Sequence, residues 1–134
     1  MAQKIMHVDD NSDTRAAVKL ILGKQGYEVV SVASGAECLK RIRQEAPDLI
    51  LMDMMMPGMT GWNTFLKIKE MKLESTKVAF LTVQSISEEE EERLRKEGIV
   101  DYIMKPFTRE ELVKRTKRIT AKLLVEHGLV KGKQ

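Results

Sequence analysis

Leu49-Ile50-Leu51-Met52-Asp53 decides how this chain is read: an apolar run with the length and composition of a buried strand, ending abruptly in a carboxylate. Met54-Met55-Met56-Pro57-Gly58-Met59-Thr60-Gly61 follows, and Pro57 with two glycines breaks any regular element there. Asp53 is therefore expected at the carboxyl end of a strand, where open parallel sheets keep their ligand crevice. An Asp at that point also serves simply to cap the next turn, so the run by itself leaves both roles open.

On its amino-terminal side, Lys4 to Val8 is rich in β-formers and stops at Asp9-Asp10-Asn11-Ser12, a cluster suited both to a turn and to a helix N-cap. Thr14 to Lys24 carries Ala17, Val18, Leu20 and Ile21 at helical spacing before Gly26, and Glu28 to Val32 is a second strand. Ser34-Gly35-Ala36-Glu37 is a capping box. It opens a helix to about Gln44 with Ala36, Leu39, Ile42 and Ala46 on its apolar face, closed by Pro47.

On the other side, Trp62, Phe65, Leu66, Ile68 and Met71 mark a third helix, and Val78 to Thr82 is a buried strand. Ser87 and Glu90 cap a helix that runs to Glu97 and stops at Gly98; its glutamates, Glu88 to Glu92, form a solvated first turn favoured by the helix dipole. Val100 to Met104 is the fifth strand, and Lys105-Pro106-Phe107 leads to a third capping box, Thr108 with Glu111. The last helix, to about Glu126, places Leu112, Val113, Ile119, Leu123 and Leu124 on one face, and residues 127–134 read as a frayed tail. Five strand–helix repeats require a parallel sheet, since parallel neighbours need helical crossovers. Five units are too few for an eight-fold barrel, which leaves an open α/β sandwich over residues 1–126 with helices on both faces.

A chain of 134 residues buries enough surface to form one domain without staples. The single cysteine, Cys38, forms no internal disulfide, and no Cys/His spacing suggests zinc, so a reducing cytoplasmic setting is expected. The segment before Asp9 is too short for a signal-peptide apolar region, and no apolar run approaches membrane-spanning length. Net charge is +3, but from Lys105 onward nine Lys/Arg stand against three acids, leaving the first 104 residues net negative. That carboxy-terminal excess suits partner docking; nucleic acid is not the expected partner of this domain.

Four of the five strands end in reactive side chains: Asp9 and Asp10, then Asp53, Thr82 and Lys105. In a doubly wound sheet these ends lie side by side. Carboxylates crowded together repel unless a cation joins them, and all-oxygen ligands favour magnesium or manganese. A hydroxyl and an ammonium facing that site form a receptor for a dianionic phosphoryl group, with Asp53 as the natural nucleophile.

At these residues the chain resembles the receiver domains of two-component response regulators, over essentially residues 4–126. Asp9-Asp10 resembles the family's acidic pair, Asp53 its phosphoacceptor, Pro57 and Gly61 its loop signature, Thr82 its Ser/Thr, and Lys105-Pro106 its Lys-Pro. The resemblance implies a flavodoxin-like five-stranded sheet in the order 2-1-3-4-5. It implies Mg²⁺ held by Asp10, Asp53 and the Met55 carbonyl with Asp9 acting through water, and phosphoryl binding by Met54, Thr82 and Lys105. It further implies a cis Lys105-Pro106 peptide and an aromatic switch at Tyr102, moving with Thr82. Val83 departs from the family, which keeps a very small residue there, and it is expected to crowd the phosphoryl site or the switch.

The implied function is phosphoacceptance from a histidine kinase or phosphotransfer protein, with an output partner on the face of the fourth helix, fifth strand and last helix. A stand-alone, chemotaxis-type or phosphorelay shuttle role is expected, with a receiver cut from a longer regulator as the alternative. The competing reading is a phosphatase or phosphotransferase acting on a small substrate; haloacid-dehalogenase-type enzymes place a second Asp two residues after the nucleophile, and here that residue is Met55. A flavin-binding protein is a third alternative, disfavoured because the first loop offers carboxylates where a phosphate cradle is needed.

Overall fold

The computed structural model describes residues 3–126. All five strand–helix repeats are present: β1 (Lys4–Val8), α1 (Ser12–Gly23), β2 (Glu28–Val32), α2 (Gly35–Glu45), β3 (Leu49–Asp53), α3 (Gly61–Glu70), β4 (Lys77–Thr82), α4 (Glu88–Glu97), β5 (Ile99–Met104) and α5 (Arg109–Glu126). Every strand pair is parallel and the order is β2-β1-β3-β4-β5, the flavodoxin-like arrangement expected. All five residues of β3 are buried because helices cover both faces of the sheet, which explains why the strand shows no polar alternation. The residues 127–134 assigned to a frayed tail lie outside the described residues.

Alternation along each strand divides the core in two. Met6, Val8, Ile50, Met52 and Phe80 pack with Cys38, Ile42, Phe65, Ile68 and Leu94 of α2, α3 and α4. Ile5, Leu49, Leu51, Leu81 and Ile103 pack with Val18, Leu22, Leu112, Ile119 and Leu123 of α1 and α5. The three Ser/Thr caps fall where expected: Ser34, Ser87 and Thr108 accept the backbone N–H of Glu37, Glu90 and Glu111. Only at Thr108 is the box reciprocal among the described residues, with Glu111 accepting the Thr108 N–H; Glu37 instead accepts the N–H of Ala33.

Four helices depart from the buried stripes expected. In α1, Val18 and Leu22 are buried while Ala17 and Leu20 face solvent. In α2 the buried positions are Gly35, Cys38 and Ile42, with Leu39 partly covered and Ala36 and Ala46 exposed. The phase of α2 is set by close helix packing: a Cβ on Gly35 would overlap the Thr64 hydroxyl of α3. In α5 the stripe includes Thr116 and Thr120, and in α3 Leu66 lies outside the core. The Thr120 hydroxyl is 2.8 Å from the hydroxyl of Tyr27, so a polar side chain is buried at little cost.

The loop after β3 is held on itself. The Met54 N–H donates to the Leu81 carbonyl of β4 at 3.0 Å, and the Gly61 N–H returns to the Met54 carbonyl at 3.0 Å. A Cβ on Gly61 would overlap the Asp53 carbonyl oxygen and come within 2.8 Å of Met54 Cα, both of them backbone. Gly61→Ala is therefore expected to cost about 1–3 kcal/mol through forced backbone displacement. Urea denaturation checks this; an unchanged midpoint would contradict the close approach.

Candidate functional site

Two strand ends place the acids. Parallel pairing of β1 with β3 brings Asp9 and Asp10, just past Val8, beside Asp53 at the end of β3. A carboxylate oxygen from each of Asp9, Asp10 and Asp53 can be chosen so that all three lie within 4.8 Å of one another. Asp9 and Asp53 are buried and Asp10 is exposed. The Lys105 Nζ enters from the end of β5, 2.8 Å from Asp9 Oδ2 and 3.2 Å from Asp53 Oδ2. The loop that carries Lys105 is fixed by its N–H donating to the Thr82 carbonyl at 2.7 Å, and the Lys105-Pro106 peptide is cis, as expected.

Both oxygens of the Asp9 carboxylate are occupied: Oδ1 accepts the Asn11 N–H at 2.9 Å while Oδ2 faces Lys105. Asp53 Oδ1 accepts the Met55 N–H at 3.0 Å. The N–H of Met54, a residue expected at the phosphoryl group, donates to the Leu81 carbonyl, and the amide that reaches the Asp53 carboxylate belongs to Met55. The Thr82 hydroxyl is buried at the crevice but turned into its own turn, accepting the Gln84 N–H at 3.1 Å and donating to the Gln84 carbonyl at 3.4 Å. Val83 does not crowd inward; it is 64% exposed.

Tyr102 pairs in register with Phe80 and packs against the core on the α2–α3–α4 side. Its hydroxyl is buried and has no hydrogen-bond partner among the described residues. Burial, followed by the charge of Glu91, raises its pKa. The adjacent backbone is clamped: Arg115 of α5 donates to both Asp101 carboxylate oxygens, at 2.6 and 3.0 Å, and to the Tyr102 carbonyl at 2.8 Å.

Burial raises the pKa of Asp53, with Asp9 adding to the rise, against the lowering effects of the Met55 N–H and the Lys105 charge. For Lys105 burial works to lower the value, but the hydrogen bond to Asp9 and the charges of Asp53 and Asp9 outweigh it, and the ammonium is held. Three carboxylates stand against one ammonium, and the ionised form of Asp53 is disfavoured. The donor set and its charge fit a divalent cation bound through oxygen.

Sequence reasoning missed three residues here. Asn11 was visible as a cap but not as a donor to Asp9, and Arg15, one turn into α1, donates to the Asp9 carbonyl at 2.7 Å. His7 is wholly buried beneath Asp9, its Nε2 3.7 Å from Asp9 Oδ2, with neither ring nitrogen hydrogen-bonded among the described residues. Two-residue alternation from Asp9 was the available signal.

The comparisons with known proteins agree with this geometry. Residues 5–117 match the family model described as the response regulator receiver domain. The chain belongs to that family. As a receiver it is the phosphoacceptor module of a two-component system. It is 35% identical over 129 residues to the phosphate regulon transcriptional regulatory protein PhoB of Escherichia coli, an alignment covering 92% of this chain and 54% of PhoB. It is 31% identical over 118 residues to the DNA-binding response regulator MtrA of Mycobacterium tuberculosis, covering 87% of this chain and 50% of MtrA. The receiver thus spans about half the length of the curated relatives it matches. A CheY-like receiver domain protein from Methanospirillum hungatei superposes with a TM-score of 0.79 at 34% identity, covering 90% of this chain and 96% of that one. Among the described residues no helix is long and apolar enough to cross a membrane.

Burial lowers the His7 pKa from 6.5 to about 4; the Asp9 charge opposes this, and Lys105 and Arg15 reinforce it. A base whose folded value is depressed contributes stability that is fully present above its unfolded value and is lost as pH falls toward the folded one. Unfolding free energy is therefore expected to drop between pH 6.5 and about 4, by roughly 3 kcal/mol from this group. Urea denaturation across that window checks it: His7→Gln should flatten the slope, and a slope identical to wild type would place the acid sensitivity elsewhere.

Proposed function

We propose that Asp53 is the phosphoacceptor, taking a phosphoryl group from the phosphohistidine of a kinase or phosphotransfer protein in a reaction that needs Mg²⁺. The observation that carries this is the single ammonium of Lys105 set between the Asp9 and Asp53 carboxylates at the open edge of the sheet. In transfer, the Asp53 Oδ–P bond forms as the histidine N–P bond breaks, and the electron pair returns to the imidazole nitrogen. Asp10, Asp53 and the Met55 carbonyl would hold the metal, with Asp9 behind them; bound there, the cation neutralises charge building on the transferring oxygens. Lys105 supplies the same stabilisation from the other side. The Thr82 hydroxyl must leave Gln84 to reach a phosphoryl oxygen, and Tyr102, packed behind the same loop, is the side chain free to follow it. Catalytic turnover on a small ester is disfavoured, because Met55 offers no general acid.

Incubation with acetyl phosphate and Mg²⁺, followed by intact-mass measurement, tests the assignment. Wild type should gain one phosphoryl group and Asp53→Asn none. Labelling of the variant at the wild-type rate would overturn it.

The adduct should persist long for a receiver, because an attacking water needs a polar handle beside the phosphorus. Of Met55 and Gln84, which flank that approach in sequence, only Gln84 supplies one. Met55→Asn should speed decay after donor removal; a wild-type half-life of seconds, unchanged by the substitution, would contradict this.

Output is assigned to the face of α4, β5 and α5, where the Asp101–Arg115 clamp ties the Tyr102 backbone to α5 and the exposed Lys114 and Arg118 give α5 its positive charge. Binding there should weaken with added salt, and reversing the charge of both Lys114 and Arg118 should reduce phosphorylation-dependent partner binding. Binding unaffected by the reversal would place output on another face. The partner is a protein of this signalling pathway; PhoB and MtrA carry names that denote transcriptional regulation and DNA binding, and this chain matches only about half of each.

A further inference from the structure

The chain carries nine methionines, five of them between Met52 and Met59. Around the crevice they are unevenly exposed. Met52 and Met56 are buried, Met54 and Met59 are partly covered, and Met55 is 60% exposed. Met104 is 41% exposed, and it sits opposite Thr82 in the β4–β5 register and immediately before Lys105. Among the described residues, then, the two methionines that face solvent both stand at the rim of the phosphoacceptor site. Met55 is also the residue whose N–H donates to the Asp53 carboxylate.

The chain's other sulfur is closed off. Cys38 is wholly buried within the α2–α3–α4 side of the core. Burial, with the nearby Glu37 charge, raises its thiol to about 12, and a thiol kept protonated and inaccessible is inert to oxidants. Thioether oxidation depends on access and not on ionisation, so the order of reactivity in this fold is set by exposure.

We infer that Met55, with Met104 as a second position, is a peroxide-sensitive modification site that shortens the life of the phosphoryl group on Asp53. The inference rests on the reading of Asp53 as phosphoacceptor. In the modification a lone pair of the Met55 sulfur attacks one peroxide oxygen. The O–O bond breaks, an S–O bond forms, sulfur is oxidised by two electrons, and the proton on the attacked oxygen passes to the departing hydroxide, which leaves as water. The product exchanges an apolar thioether, which cannot orient a water, for a sulfoxide oxygen that accepts hydrogen bonds. A strong acceptor then stands two residues from Asp53, on the approach a hydrolytic water must use. Oxidation of this kind is reversed by methionine sulfoxide reductases, so the site works as a switch.

The test uses the full chain. The protein is loaded with acetyl phosphate and Mg²⁺, freed of donor, and divided; one half is treated with hydrogen peroxide and quenched with catalase. Fragment-ion mapping gives the order of oxidation, and intact mass gives the decay of the adduct. Met55 and Met104 should oxidise ahead of Met6, Met52, Met56 and Cys38, and the treated wild type should lose phosphate severalfold faster than the untreated half. The ratio of treated to untreated decay should fall toward one in Met55→Leu, and reductase treatment should restore slow decay in wild type. Oxidation of a buried sulfur before Met55 would overturn the inference. So would a decay rate unchanged after full conversion of Met55, or an equal acceleration in Met55→Leu. Failure of the untreated protein to form any adduct would overturn the phosphoacceptor reading itself, an outcome distinct from an adduct that forms and ignores peroxide.

Discussion

One ammonium between two buried carboxylates is the constraint on which this molecule depends. Lys105 lies 2.8 Å from Asp9 and 3.2 Å from Asp53, and it reaches them only because β1, β3 and β5 end at the same edge of the sheet. Taking charges out of water is costly unless they are paired. The pairing here is incomplete by design of the charge count, since Asp10 adds a third carboxylate within 4.8 Å. The result is a site whose anions are gathered but not neutralised, with the ionised form of Asp53 disfavoured by its burial. Such a site gains from a bound cation, and it holds its charges ready for one.

The remainder of the fold serves that edge. The buried β3 run anchors Asp53 from behind, and the loop after it is fastened by Met54 to β4 and by Gly61 to its own start. Lys105 is fastened to Thr82 through the backbone, so the hydroxyl and the ammonium proposed to meet the phosphoryl group share one hydrogen bond between their main chains. Thr82 points its hydroxyl into the Gln84 turn, while the buried Tyr102 hydroxyl has no partner among the described residues. Under the proposed function these two hydroxyls, one held by a local turn and one with an unmet hydrogen bond, are the groups that would rearrange together.

Much of this was legible in the sequence because the signals were strong and local. The five strand–helix repeats follow from runs bounded by Pro, Gly and capping residues, and the acids, hydroxyl and ammonium stand at strand ends, where topology brings them together. What was less legible depends on packing between distant elements. The buried stripe of α1 uses Leu22 and leaves Leu20 in solvent, a choice made by the approach of β2 and α5. The phase of α2 turns on Gly35, whose missing side chain lets Thr64 come close, and hydropathy assigns no burial to a glycine. Thr116 and Thr120 are buried in α5 though they read as polar; the Thr120 hydroxyl has the Lys117 carbonyl as a local acceptor, while that of Thr116 has no partner among the described residues. At the site, Asp9's contacts with Asn11 and Arg15 depend on how β1 enters α1, and His7 is hidden one pleat below the acids.

The central claim is that Lys105 partly neutralises a carboxylate cluster built for a divalent cation, and calorimetric titration of Mg²⁺ into wild type and Lys105→Met tests it most directly. Removing the ammonium leaves three carboxylates without their nearest counter-charge, so the variant should bind Mg²⁺ more tightly than wild type, and at low ionic strength the difference should widen. Equal or weaker Mg²⁺ binding by a folded Lys105→Met protein would contradict the account.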